Sequence, residues 1–519
     1  MSFLLKHLEK HIPSAKLLLQ DCSPVGTVQP DNAEAIWALG GWEKIEFLCI
    51  YGISARFYAL ARSWLDEDDR RRLVFIEEKA EALAQLLEDE DAILLLNDLR
   101  VKIYFLETPL QIEPVAKKGA WSAVFKELAY FVLREGDYSL AFQKELERVH
   151  LAAHLLLSEA ADWGCSIFEN AKANRSIAAR SGLDLKGKFK NVPAVIVGAG
   201  PSLEKNGHLL EAFEKRALIL AGGAALNGIE AEPHFGASVD KEAPYRQFKM
   251  HRFFETPFCF QSRTNRENAA LIHGDALLFP DGSAEWINWI NNQAQGFETG
   301  WTVGNFLTAL ALFLGCSPII LVGMDLCYRQ GRKYAYIDSF KNEGLVEVLD
   351  VQGKKVWSQR DWLMAARWTE ELAQKNPGVD FINATEGGVG FHAPVQTETL
   401  RDVLKDLKEL NFNIRDMVHS EIQKLPLLDA SNQRWKEWDE SMNRCQDLCC
   451  EHRPFSPGDL DALESEIAFQ KLLNPLWQIW KPVFERELDL DPHQITMSQK
   501  LQLNQLLFFQ QVLQEHSNA

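Results

Sequence analysis

Nowhere in the chain is there an apolar run approaching the roughly 20 residues that a membrane-spanning helix needs. The N-terminal stretch MSFLLKHLEKHIPSAK is apolar for only three residues after Ser2, which predicts no secretory signal. Cations are in deficit: 55 Lys and Arg face 73 Asp and Glu, a formal net charge of −18. That balance excludes a broad nucleic-acid surface, whose affinity comes from cations neutralising phosphates, but leaves room for a local basic pocket. The nine cysteines of the 519 residues form no regular framework and no paired CxxC arrangement. Neither a disulfide scaffold nor a zinc site is indicated, and a reducing, cytoplasmic setting is expected. There is no evident internal repeat and no low-complexity tract.

What remains is the composition of a globular protein, 46% hydrophobic and 25% charged. Its 15 tryptophans are spread from Trp37 to Trp480 and read mainly as packing residues. Three regions follow one another, with boundaries at 1–165, 166–400 and 401–519. In the first, KIEFLCIYGIS, RRLVFIEE and RVKIYFLE alternate with helical patterns, which predicts a small parallel α/β domain. It imitates a dinucleotide fold, with Gly52 after the first strand and Glu77 after the second. Its GISA turn nevertheless lacks the glycines that admit a pyrophosphate, so a supporting role is the preferred reading. Residues 120–180 read as helical throughout. The third region shows only amphipathic helical periods. Within it Trp435, Trp438, Met442, Cys445 and Cys449 recur at spacings of three and four. They read as a packing seam rather than as a metal site with Cys450 and His452.

The second region holds short apolar runs at 194–198, 217–222, 235–240, 257–262 and 319–323, several of them separated by helical patterns. This predicts a Rossmann-like, doubly wound parallel sheet, on which ligands bind beyond the carboxyl ends of the strands. After the first of these runs, Gly198 and Gly200 permit close backbone approach, Pro201 suits a first helical turn and Ser202 can cap it. An anion is expected there. After the second, Gly222 opens a small-residue turn and Asn227 can read a base or ribose. Asp240 and Asp325 end two further strands, placed to bind Mg²⁺ or a ribose hydroxyl. Tyr328, Arg329, Arg332, Lys333 and Tyr334 follow Asp325 on a polar loop. The segment TVGNF starts a buried helix that offers a further anion site. Late in the region, DFINATEGGVGFH ends a strand in a glycine loop with Asn383, Thr385, Glu386 and Gly387, and His392 lies just beyond. Each of these turns also has a plain structural reading, as a tight corner between a strand and a helix.

Taken together, VGAGPSL, SVD, TVGNFLTALALFLGCSPIILVGMDLCY and INATEGG resemble the MptE-like domain over about residues 168–392. That domain is shared by archaeal 6-hydroxymethyl-7,8-dihydropterin diphosphokinases and by the bacterial motility-associated factor (Maf) proteins. The latter are linked to glycosylation of flagellin with nonulosonic acids. The resemblance implies that Gly198, Gly200, Pro201 and Ser202 form the nucleotide turn. It also implies that Asp240 and Asp325 are the acidic strand ends, and that Asn383, Glu386 and Gly387 form the late loop. Where Maf-like sequences often have a His after the DL motif, this chain has Tyr334 in RKYAY. A neutral tyrosine is a poor base near pH 7, which leaves His392 or another residue to supply one.

Three functions are therefore expected in turn. The first is a glycosyltransferase passing a sugar from a CMP-nonulosonate type of donor to a protein acceptor such as flagellin, with Asp240, Asp325, Tyr334 and His392 as catalytic candidates. The alternatives are a pterin diphosphokinase holding ATP and Mg²⁺ on Asp240 and Asp325, and a non-catalytic nucleotide-binding or assembly protein. No firm cofactor is implied, and Mg²⁺ belongs to the diphosphokinase alternative.

Overall fold

A run of five buried residues, Phe47–Tyr51, forms β1 and starts the first of two parallel sheets. A computed structural model of the chain describes residues 2–20, 32–242, 252–282, 284–293, 297–329, 332, 334–335, 345–428, 433–449, 457–488 and 497–518. Lys333, Cys450 and His452 lie outside the described residues. The chain divides into two compact units, one of Met1–Ala161 with Leu476–Phe508 and one of Asp162–Pro475 with Phe509–Ala519. The helical stretch after residue 400 is divided between the two units. Its amphipathic helices have one apolar face each and bury it against whichever core they meet. Among the described residues no helix is long and apolar enough to cross a membrane.

In the first unit β1 is followed by β2 (Arg72–Glu77), β3 (Val101–Phe105) and β4 (Leu128–Val132), in the order β3-β2-β1-β4, all parallel. The first three strands and their crossover helices follow the expected alternation. β4 corrects the helical reading of this stretch: LAYFV pairs with β1 from Phe47↔Leu128 to Tyr51↔Val132. Its aromatic and β-branched residues suit a pleated surface, and pairing with a buried central strand outweighs the local helical pattern. Glu77, placed where a dinucleotide fold would read a ribose, is buried and accepts from the backbone N–H groups of Ile53, Glu78 and Lys79. Both carboxylate oxygens are thereby committed to the chain's own backbone.

The second unit contains β5 (Ala179–Ser181), β6 (Ala194–Val197), β7 (Leu218–Gly222), β8 (Phe235–Ser238), β9 (Phe258–Gln261), β10 (Ala276–Phe279), β11 (Ile319–Val322), the hairpin β12 (Leu345–Leu349) and β13 (Lys355–Gln359), then β14 (Phe381–Asn383) and β15 (Gln396–Thr397). Nine of these make one parallel sheet in the order β15-β14-β11-β6-β7-β8-β9-β10-β5. From β6 the chain winds outward through β7, β8, β9 and β10, then crosses back to place β11, β14 and β15 on the other side. The reversal lies between β6 and β11. Both faces are covered, so β6, β7 and β11 are buried at every position, as continuous apolar runs require. The helix Val303–Leu314 is buried almost all round and packs against this sheet.

The seam on the helix Gln433–Leu448 turns Trp435, Trp438, Ser441 and Cys445 inward. Trp438 is fully buried and stacks on Trp286 at 5.2 Å. Burial pushes the Cys445 thiol up to about 12, which keeps it protonated. Among the described residues no group of three His, Cys, Asp or Glu is placed to hold a metal.

Candidate functional site

The winding of the sheet decides where its strand ends meet. At the reversal between β6 and β11 the loops after the two strands meet at the carboxyl edge, where sheets of this kind have their ligand crevice. β14 pairs with β11 on the far side and brings its own loop to the same place. Gly198, Gly200, Pro201 and Ser202 after β6, Asp325 after β11, and Asn383, Glu386 and Gly387 after β14 are thus brought together from positions about 190 residues apart.

At the centre is Asp325, 1% exposed. Its carboxylate accepts the backbone N–H of Ser202 at 3.1 and 3.2 Å, and the Ser202 hydroxyl donates to Oδ2 at 2.5 Å. Three further N–H groups around the turn are also engaged. Gly198 donates to Val322, Gly200 to Gly323, and Leu203 to Gly200, at 2.7–3.0 Å. A carboxylate of the chain itself thus lies at the turn where an anion was expected. The α-helix that follows is also a single turn, Leu203–Asn206, which offers little dipole. Gly200 is glycine because of this carboxylate: a Cβ there would stand 2.1 Å from Asp325 Oδ2. A Cβ on Gly387 would likewise stand 2.9 Å from an Arg329 guanidinium nitrogen and 3.3 Å from Asp325 Oδ1.

Burial raises the Asp325 pKa, while the Ser202 hydrogen bonds and the charges of Arg329 and Lys205 act in the opposite direction. Those two cations give the surroundings of Asp325 a local positive charge on an acidic protein, while Arg332 is paired to Glu204 at 2.7 Å. Glu386 points its carboxylate to the Asn206 amide and the Leu400 N–H, both at 3.1 Å, and latches the β14 loop to the helix Leu400–Asp406. Asn383 is buried and accepts the Thr385 N–H, and the Thr385 hydroxyl accepts the Met324 N–H at 3.1 Å. Leu326 and Glu386 hold φ of 51° and 58°, uncommon for residues with a side chain, and such outliers gather at functional sites.

Residues 165–331 match a protein-family model described as 6-hydroxymethylpterin diphosphokinase MptE-like. Over these residues the chain is similar to MptE-like proteins. No curated protein matches the chain. Among solved structures, the MAf glycosyltransferase from Magnetospirillum magneticum AMB-1 superposes with a TM-score of 0.55, covering 99% of this chain and 94% of that one. At 15% identity this is a likeness of fold, and it extends through both units.

The MptE-like match ends at residue 331, so the β14 loop, Tyr334 and His392 lie beyond it. The polar loop after β11 crosses the β6 turn, where Ala335 donates its N–H to the Ala199 carbonyl at 2.8 Å. This carries Tyr334 toward Asp240. Burial, and then the Asp240 charge, raise the phenol well above its usual range, so Tyr334 is neutral and a hydrogen-bond donor. Asp240 itself is exposed, two residues past β8.

Other expected site residues have different surroundings. Gly222 is glycine for packing, since a Cβ there would stand 2.6 Å from a Val303 methyl on the neighbouring helix. Asn227 ends a partly buried 3₁₀ turn after β7. The N-terminal turn of the helix Val303–Leu314 is closed by Thr302 and Asn305, which cap it and bond each other. His392 is exposed, with Nδ1 2.8 Å from Glu370 on the helix Arg360–Lys375, away from Asp325 and Ser202 in its contacts.

Mg²⁺ held jointly by Asp240 and Asp325 does not fit. β8 and β11 are separated by β6 and β7, three strand spacings or about 14 Å. Asp325, moreover, has both oxygens turned to Ser202.

The strand pattern of VEVLDVQGKKVWSQ, alternating residues about a QGK turn, was the sequence signal for a part of the site not anticipated. The β12–β13 hairpin covers the two loops: Tyr328 donates to the Trp357 carbonyl at 2.7 Å and Val351 to that of Gly388 at 2.9 Å.

Proposed function

We propose that this protein is a transferase of the Maf type. It passes a sugar, of the nonulosonate class on a CMP donor, to a hydroxyl of a protein acceptor such as flagellin in the cytoplasm. The observation that carries the reading is the extent of the fold: the MptE-like segment is 165–331, whereas the likeness to a MAf glycosyltransferase takes in 99% of the chain. The distance between Asp240 and Asp325 weighs against the diphosphokinase alternative, whose two acids would share a metal.

In this reading the donor phosphate lies against Arg329 and Lys205, not in the β6 turn. Asp240 takes the proton from the acceptor hydroxyl as its oxygen attacks the anomeric carbon. The bond from that carbon to the phosphate oxygen breaks, and the cations and the Tyr334 hydroxyl stabilise the departing phosphate. Asp325 holds the Ser202 turn and takes no part in the bond changes.

Thermal unfolding with CMP, a CMP-sugar, and ATP–Mg²⁺ plus pterin tests this directly. A ligand of the folded state at a hundred times its Kd adds about 2.7 kcal/mol. CMP is expected to raise the melting temperature without metal, and Arg329→Gln to abolish that rise. Stabilisation by ATP–Mg²⁺ and pterin alone would favour the diphosphokinase, and no shift with any ligand would count against both enzymes.

A further inference from the structure

The amino ends of the strands, at the opposite edge of the nine-stranded sheet, enclose a cavity of about 590 Å³ roofed by the helix Ile414–Gln423. Ala178, His234, Pro257 and Asp275 line it from the residues just before β5, β8, β9 and β10. The volume is in the range of small-molecule sites.

His234 is 2% exposed, and its Nδ1 accepts the Ile219 backbone N–H at 3.0 Å. Nε2 must therefore carry the ring hydrogen. Burial, and then the charge of Arg415, lower the imidazole to about 3, so it stays neutral. No described residue accepts the Nε2 hydrogen. This donor on the cavity wall is open to a ligand oxygen, which would complete its hydrogen bonding.

The remaining walls restrict the ligand. Of three carboxylates at the cavity, Glu232 lies 3.4 Å from Arg415 and Asp275 lies 3.7 Å from Arg180, so Glu255 leaves a net negative charge. Anions are disfavoured by this charge. An ammonium group suits the carboxylates but has nothing to accept the His234 hydrogen. A metal ion finds no lone pair on Nε2. A neutral molecule with adjacent hydroxyls satisfies both, since each hydroxyl accepts and donates.

We propose that this cavity binds a monosaccharide, with one sugar oxygen accepting from His234 Nε2 and neighbouring hydroxyls donating to Glu255 and Asp275. The site is separate from the Asp325 crevice and does not depend on the transferase reading.

The test is titration of the full chain with methyl α-glucopyranoside, galactose and N-acetylglucosamine, followed by saturation-transfer NMR and calorimetry with no nucleotide present. Inorganic phosphate and putrescine serve as anionic and cationic probes. His234→Asn retains an acceptor for the Ile219 N–H and removes the Nε2 donor; Glu255→Gln changes an exposed residue. At least one sugar is expected to bind, about tenfold more weakly in His234→Asn and several-fold more weakly in Glu255→Gln. Absence of binding by all three sugars, equal affinity in both variants, or phosphate or putrescine binding in their place would overturn the proposal. Because no CMP is used, these outcomes are independent of the donor-site test.

Discussion

Replacing Gly200 by alanine puts the arrangement around Asp325 to a direct test. The new methyl would stand 2.1 Å from Asp325 Oδ2, 2.7 Å from its Cγ and 2.7 Å from the Gly323 carbonyl oxygen. Relief needs a shift of about 1 Å, since hydrogen-bonded heavy atoms already sit close to their limits. Oδ2 cannot make that shift and keep its bonds of 2.5 and 3.1 Å to Ser202. Overpacking of this kind costs about 1–3 kcal/mol. Loss of hydrogen bonds to a buried charged group adds about 1.5–3 kcal/mol. The sum is about 4 kcal/mol, or roughly 6 °C in the melting temperature of a unit of this size. Differential scanning calorimetry reads the loss, with Gly378→Ala as the control, because a Cβ at Gly378 meets nothing within 4 Å. In the double variant Gly200→Ala/Asp325→Ala two of the three close contacts disappear, so its loss should be smaller than the sum of the single losses. A Gly200→Ala protein that melts together with the control would refute the reasoning, since the turn would then not enclose the carboxylate.

Two further variants probe the same unit. Asp325→Asn keeps an acceptor for the Ser202 N–H and offers an amide to its hydroxyl. Because burial raises the folded-state pKa of Asp325, its contribution to stability is complete below the ordinary carboxylate range and is lost as pH rises through the raised value. The variant should therefore equal or exceed the parent in stability at pH 7, with the difference closing toward pH 4. Urea titrations at the two pH values decide it, and a less stable variant at pH 7 would mean that the fold favours the ionised carboxylate, against a raised pKa. Trp438→Ala empties a fully buried position stacked on Trp286 and should cost about 3–5 kcal/mol in urea unfolding. A cost under about 1 kcal/mol would mean that the seam is not a core.

The residues of the crevice were legible because strand-end turns are local. A strand such as AVIV followed by GAGPS announces itself in nine residues, and SVD, GMD and NATEGG do so equally. What each residue does there was not legible. The glycines of the β6 turn look alike whether they admit a pyrophosphate or an aspartate from a loop over 120 residues away, and only the fold supplies Asp325. Short elements were missed for a related reason. ARS at β5 is too brief for a period to register. In LAYFV the helical pattern was local, while the pairing with β1 that prevailed was not.

By itself, then, the sequence determined the class: two parallel α/β sheets with amphipathic helices, a glycine turn after AVIV, and an acidic chain with a few cations after β11. Hydrophobic period and turn chemistry act over a few residues, and they are written wherever they act. The tertiary structure alone decided that the order of the sheet reverses beside β6, that Asp240 and Asp325 stand three strands apart, and that Glu77 and Asp325 serve the backbone. It also decided that His234 faces a cavity on the far edge. These facts depend on which strand lies next to which, and strand order is set by the burial of whole faces, a sum over the chain that no short stretch contains.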